Sequence, residues 1–148
     1  MFSSKSSGTI IIVMIIRDEI TGDKAAIYNL TEAAFAPVKM SDGSEPQIVD
    51  DHRESGDLTL SLVVLNDDQI VGHIAFSPVT ISCSKGKSFG LGPVSVHPEH
   101  QSAGIGRQLI EDGLGTLRSL YAAGCVLLGD PAYYGRFGFS SPGDLTFG

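Results

Sequence analysis

The chain has 148 residues, a formal net charge of −7, 42% apolar residues and 18% charged ones. That is one ordinary domain with enough apolar matter for a real core, which excludes a disordered chain. The acidic surplus excludes a general nucleic-acid binder, which needs a basic stripe, and mildly favours cationic partners such as amines.

Residues 1–8 read as a loose N-terminal extension and residues 9–148 as a single domain. Residues 9–16 are expected to form the first strand. The apolar run inside it, Ile10 to Ile16, has seven residues, far below the roughly 20 that span a bilayer, so no membrane partner is expected. Residues 22–35 place Ala26, Ile27, Leu30, Ala33 and Ala34 at helical spacing. A polar loop over 37–46 leads to a short helix over 47–55. Residues 58–65 alternate as a strand, Asn66-Asp67-Asp68 is a turn, and residues 69–79 return as the second arm of a hairpin. A polar turn over 82–88 precedes a strand over 89–96, closed by the turn signal His97-Pro98. Residues 107–123 carry Leu109, Ile110, Leu114, Leu117, Leu120 and Tyr121 on one helical face. A short strand follows at 125–128. Helices flanking a mostly antiparallel sheet make a mixed α/β fold. Cys83 and Cys125 lack Cys-x-x-Cys spacing, which suggests neither zinc nor a disulfide framework and fits a reducing cytoplasm.

The stretch Gln101-Ser102-Ala103-Gly104-Ile105-Gly106-Arg107 stands between a strand and a helix. A glycine-containing turn at a helix start points free N–H groups outward, and such a place binds phosphate. Glycine at 104 and 106 removes the Cβ atoms that would block close approach. The plain alternative is an ordinary helix start. Two known phosphate patterns fail: Leu109 stands where a dinucleotide fingerprint needs its third glycine, and Ile81 stands where a P-loop ending in Gly86-Lys87-Ser88 needs its first.

Gln-x-x-Gly-x-Gly opening a helix directly after a strand resembles the pyrophosphate-binding motif of the GNAT superfamily, the N-acetyltransferases that use acetyl-coenzyme A. A second segment agrees. Gly129-Asp130-Pro131-Ala132-Tyr133-Tyr134-Gly135-Arg136-Phe137-Gly138-Phe139 resembles the small bacterial-type N-acetyltransferase branch, with Tyr134 four residues before Gly138. Residues 15–19 and 30–35 resemble that branch's first strand and first helix. The resemblance covers most of the chain and is most specific over residues 91–139.

The resemblance implies a GNAT-like, mostly antiparallel central sheet flanked by helices. It implies that Val94, Ser95 and Val96 pair with the pantetheine arm of acetyl-coenzyme A, an N–H there polarising the thioester carbonyl. Gln101, Ser102, Ala103, Gly104, Ile105, Gly106 and Arg107 would bind the pyrophosphate. Ala103 departs from the family, which often has a basic residue there, and this implies weaker phosphate affinity. A primary amine, on a small molecule or a peptide, would attack directly. Tyr134 would then protonate the leaving thiolate; a phenol of pKa about 10 is suited to that step. The bland reading is an aromatic cluster of Tyr133, Tyr134, Phe137 and Phe139. Candidates for the general base are His73, Asp130 and Glu32, against a core role for His73 and a capping role for Asp130. His97 and His100 lack further ligands nearby, so no metal is expected.

Nine residues follow Phe139, where GNAT folds normally continue with a final pair of strands. A shortened C-terminal region is therefore expected, with an open sheet edge that favours a homodimer. Two other readings stand beside the enzyme: a non-catalytic acyl-coenzyme A-binding or regulatory module, and a phosphate-binding α/β protein unrelated to acetyl transfer.

Overall fold

The computed structural model describes residues 3–4, 9–10, 14–39, 41–79, 86–101, 103–127, 137–139 and 144–146. Strands β1 (Ser3–Ser4) and β2 (Thr9–Ile10) pair with each other apart from the main sheet. That sheet runs in chain order through β3 (Met14–Asp18), β4 (Leu60–Asn66), β5 (Gln69–Val79), β6 (Ser88–Val96), β7 (Gly124–Val126) and β8 (Asp144–Thr146). Every neighbouring pair is antiparallel except β6 and β7. A parallel pair needs a crossover, and α3 (Ile105–Ser119) supplies it. Helices α1 (Lys24–Phe35) and α2 (Glu45–Ser55) occupy the connection from β3 to β4. This is the mixed α/β, mostly antiparallel arrangement expected from the sequence.

Local chemistry sets the joints. Asn66 pairs with Gln69, so Asp67 and Asp68 form a two-residue hairpin turn, and both take positive φ, at 49° and 69°. That backbone matches the twist of the flanking strands, and Asp tolerates it. Helix α2 takes Pro46 into its first turn, where a missing N–H costs nothing, and so begins before the expected residue 47. It ends at Gly56, whose φ of 83° lets its N–H reach back to the carbonyls of His52 and Arg53.

The two faces of β4 enter different layers, because successive side chains point to opposite sides. Leu60, Leu62 and Val64 pack with Ile74 and Phe76 of β5 against Ile105, Leu109, Leu114 and Leu117 of α3. Leu109 and Leu117 lose all exposure, each contributing about 1.5–3 kcal/mol relative to an exposed leucine. Glycine sets the closeness of this packing. A Cβ on Gly113 would collide with the Phe76 ring, and one on Gly72 would stand 2.7 Å from Ile105 Cγ2. Val63 points the other way, to Ile27 of α1 and Val49 of α2.

Further differences from the sequence reading have identifiable causes. The first strand of the main sheet is Met14–Asp18 rather than 9–16, because pairing with residues 62–66 selects that stretch. Helix α3 ends at Ser119, where Tyr121 turns to a φ of 60°; Leu120 and Tyr121 leave the apolar face, and Tyr121 is 93% exposed. Residues beyond Phe139 do return to the sheet, since β8 pairs with β7.

Candidate active site

Strand β6 changes character halfway along. Its first residues, Ser88 to Gly90, pair in parallel with β7, whereas Leu91 to Val96 have no β7 partner among the described residues. The change coincides with a bulge: Ile74 pairs with Val94 and Phe76 with Leu91, so Gly92 and Pro93 together oppose Ala75. An extra residue bends the bulged strand and breaks its ladder, and Gly92 accommodates the bend with a φ of 135°. Beyond the bulge, the backbone groups of Val94, Ser95 and Val96 that face away from β5 have no strand partner among the described residues. Val94 and Val96 also pack on the core, and Ser95 is wholly buried.

At the far end of that edge the chain turns into α3. His97 N–H bonds Val71 O at 2.8 Å, the Gln101 side chain donates to Val96 O at 3.2 Å, and Glu99 N–H donates to His97 Nδ1 at 3.1 Å. Gly104 is the N-cap, with a φ of 80°, open space where a Cβ would stand and no side chain capping the helix. The ladder begins with Gln108 N–H on Gly104 O at 3.0 Å. The N–H groups of Ile105, Gly106 and Arg107 therefore precede the first N–H that finds an acceptor within the helix, at the positive end of the helix dipole. Ile105 serves this place through its backbone alone, since its side chain is in the core. Arg107 is 70% exposed and bonds Glu111 at 2.7 Å along the helix. The arrangement fits a pyrophosphate: uncapped donors, no Cβ at Gly104, and a mobile cation beside them.

On the opposite face of the sheet lies a polar chain that the sequence reading found only in part. Arg53 of α2 holds Glu19 through two bonds of 2.8 and 2.9 Å and holds Asp50 at 2.8 Å. Glu19 accepts from Ser61 Oγ at 2.6 Å, and Ser61 lies 2.7 Å from His73 Nε2. Burial pushes the Glu19 carboxyl up, but hydrogen bonds from Arg53 and Ser61, with the charge of Arg53, outweigh it and hold the group below its ordinary value. Burial pushes His73 down, to about 4, against the opposing pull of Glu19. Glu19, Arg53 and Ser61 line a surface cavity of about 400 Å³. His73 was a sequence candidate. Glu19, Ser61 and Arg53 were not, because only strand pairing brings them together.

The other sequence candidates divide clearly. Glu32 lies exposed on α1. Cys125 is buried, and burial pushes its thiol up to about 12, so it is neutral and no nucleophile. His97 and His100 meet edge to face at 5.8 Å, and no metal-binding group of three residues occurs among the described residues. Tyr134, Tyr133, Asp130, Ser102 and Cys83 lie outside the described residues. No helix among the described residues is long and apolar enough to cross a membrane.

A mostly antiparallel sheet with one parallel pair, joined by a glycine-capped crossover helix, defines a GNAT-like fold. Comparison with known proteins agrees. The model of the acetyltransferase (GNAT) domain matches residues 16–141. The uncharacterized N-acetyltransferase YhbS of Escherichia coli (strain K12) is 39% identical over 127 residues, covering 85% of this chain and 73% of that protein. A crystal structure of a GNAT family acetyltransferase from Brucella melitensis in complex with acetyl-CoA superposes with a TM-score of 0.89 at 52% identity, covering 92% of this chain and 89% of that one. The structure of Escherichia coli YhbS in complex with CoA gives a TM-score of 0.80 at 37% identity, covering 89% of this chain and 71% of the other. The chain belongs to the GNAT family of N-acetyltransferases, enzymes that use acetyl-coenzyme A.

Proposed function

We propose that the chain binds acetyl-coenzyme A between β6 and β7 and transfers its acetyl group to a primary amine by direct attack. The observation that carries this is the edge of Val94–Val96, without a β7 partner among the described residues, leading straight to the uncapped first turn of α3. The relatives from Brucella melitensis and Escherichia coli, whose structures hold acetyl-CoA and CoA, support the same ligand. Backbone N–H groups over residues 101–107 receive the pyrophosphate, and Arg107 can leave Glu111 to offset its charge. Such local donors are needed in a chain whose net charge is −7. The β6 edge pairs with the pantetheine arm as an added strand, and an N–H of that edge polarises the thioester carbonyl. Tyr134 donates the proton that the departing thiolate needs. The acceptor is a small-molecule or peptide amine, met in the cytoplasm. An exposed edge at β3, where Ile15 is 56% exposed, supports a homodimer.

The first test is thermal unfolding with acetyl-coenzyme A against ATP and NAD, because a ligand that binds only the folded chain raises the melting temperature. A shift specific to acetyl-coenzyme A is expected, and Tyr134→Phe should keep that shift while losing most turnover. Equal shifts with ATP would favour a general phosphate binder. A coenzyme shift with no turnover on any amine would favour a non-catalytic module.

A further inference from the structure

The hydrogen positions in the chain Glu19–Ser61–His73 follow from donor counting. An ionised carboxylate only accepts, so the single hydroxyl proton of Ser61 goes to Glu19, 2.6 Å away. Ser61 must then accept from His73, which places the ring proton on Nε2, 2.7 Å away, and leaves Nδ1 a bare lone pair. Among the described residues, His73 Nδ1 and Ser95 Oγ are the two buried side-chain polar atoms without a hydrogen-bond partner. Both residues are wholly buried. They are also direct cross-strand partners, so their side chains share a face with Cβ atoms about 5 Å apart. Burying such groups unused is costly. Ser95 belongs to the β6 edge assigned above to the thioester arm.

We infer that Ser95 and His73 take the proton that the attacking amine must lose, with Glu19 acting through Ser61 as a positioning residue. This rests on the acetyltransferase reading of the β6 edge. As the nitrogen–carbon bond forms, the amine nitrogen keeps the electron pair of one N–H bond and its proton passes to Ser95 Oγ. The hydroxyl proton of Ser95 passes to His73 Nδ1 once the Ser95 side chain turns to meet the ring, the two atoms not being hydrogen-bonded to each other in this structure. The carbon–sulfur bond breaks with its pair going to sulfur, which is protonated by the general acid. The Ser61 hydroxyl links the ring, now a cation, to the Glu19 carboxylate. Once product leaves, the proton returns through Ser95 to water and both groups are restored. Glu19 and Arg53 are the charged groups acting on the ring, Arg53 being itself paired with Asp50. The buried side of α1, which packs across β5 and β6, carries Ile27, Leu30, Thr31 and Ala34 and no charge. Burial keeps the ring neutral at neutral pH.

The test measures thiol release from acetyl-coenzyme A with a panel of primary amines, from about pH 6 to about pH 10, for the full chain and for Ser95→Ala, His73→Gln and Glu19→Gln. Each variant is also scored for its melting shift with acetyl-coenzyme A. Ser95→Ala removes a buried hydroxyl without a partner, so a merely structural role predicts equal or higher stability and unchanged turnover. The proton route predicts that Ser95→Ala and His73→Gln keep the coenzyme shift while kcat at neutral pH falls about 100-fold. Their rates should keep rising about tenfold per pH unit after wild type has levelled, as hydroxide takes over the role. Glu19→Gln should fall less, about tenfold, with an altered pH profile. Turnover by Ser95→Ala within about threefold of wild type, with a parallel profile, overturns the proton route and leaves the acetyltransferase reading standing. A wild-type chain with neither coenzyme shift nor turnover overturns both. If His73→Gln does not fold, Ser95→Ala decides.

Discussion

The two faces of β5 follow different packing rules. Toward α3, Ile74 and Phe76 meet leucines and glycines. Toward α1 and α2, His73 sits as deeply buried as Phe76, yet its ring bonds Ser61 and is tied through it to a carboxylate. The apolar face gives shape and most of the stability. The polar face spends some of that stability to hold a nitrogen lone pair beside β6. A difference of this kind can be broken from either side.

The largest effect is expected on the apolar face. Phe76→Ala empties the space that Gly113 is shaped around and should cost about 3–5 kcal/mol, read as a lower urea midpoint with an unchanged slope. The next concerns acid. The His73 imidazole is harder to protonate folded, at about 4, than unfolded, at 6.5, so the unfolded chain binds the extra proton between those values. The stability it represents is fully present above pH 6.5 and is lost as pH falls toward 4, by about 3 kcal/mol in all. Glu19 and Asp23, both held below their ordinary values, add a further loss at lower pH. Denaturant titrations of wild type should therefore show stability falling from neutral pH toward pH 4. His73→Gln should flatten that part and keep the lower limb.

A smaller effect is expected from Ser61→Ala. It leaves the Nε2–H of His73 without its acceptor and should cost about 1–3 kcal/mol, while Arg53 still holds Glu19. The smallest is Arg107→Ala. Its pair with Glu111 is exposed, so unfolding should change by less than about 0.5 kcal/mol, whereas a weakened melting shift with acetyl-coenzyme A would separate its ligand role from its structural one.

Much of the fold was legible because each signal was local. Alternation over 58–65, the Asn66-Asp67-Asp68 turn and the leucine stripe of α3 each encode their own geometry. The glycine-led start of α3 was legible for the same reason. Errors arose where partners decide. Residues 10–16 are apolar throughout, and only pairing with β4 selects Met14–Asp18. Tyr121 fits the helical stripe by spacing, but the helix has already ended when the chain reaches it. The chain from Glu19 to His73 spans separations of 42 and 12 residues and carries no motif. A polar Ser61 and His73 at inward positions of two adjacent strands were the available signal, and they reveal a contact only once the register is known.

The crossover that brings β7 beside β6 also sets an order of events during synthesis. A growing chain has β3 to β6, with α1 and α2, complete before α3 and β7 are made, and the two-residue turn at Asp67–Asp68 lets the central hairpin close early. Long-range parallel pairing comes later, because it requires α3 to be formed and docked first. Until then β6 is an exposed edge along its whole length, the Val94–Val96 stretch included. A nascent chain would thus expose β6 to other chains before its own fold shelters the neighbouring half. Slow translation or a truncated message ending before β7 would prolong that exposure.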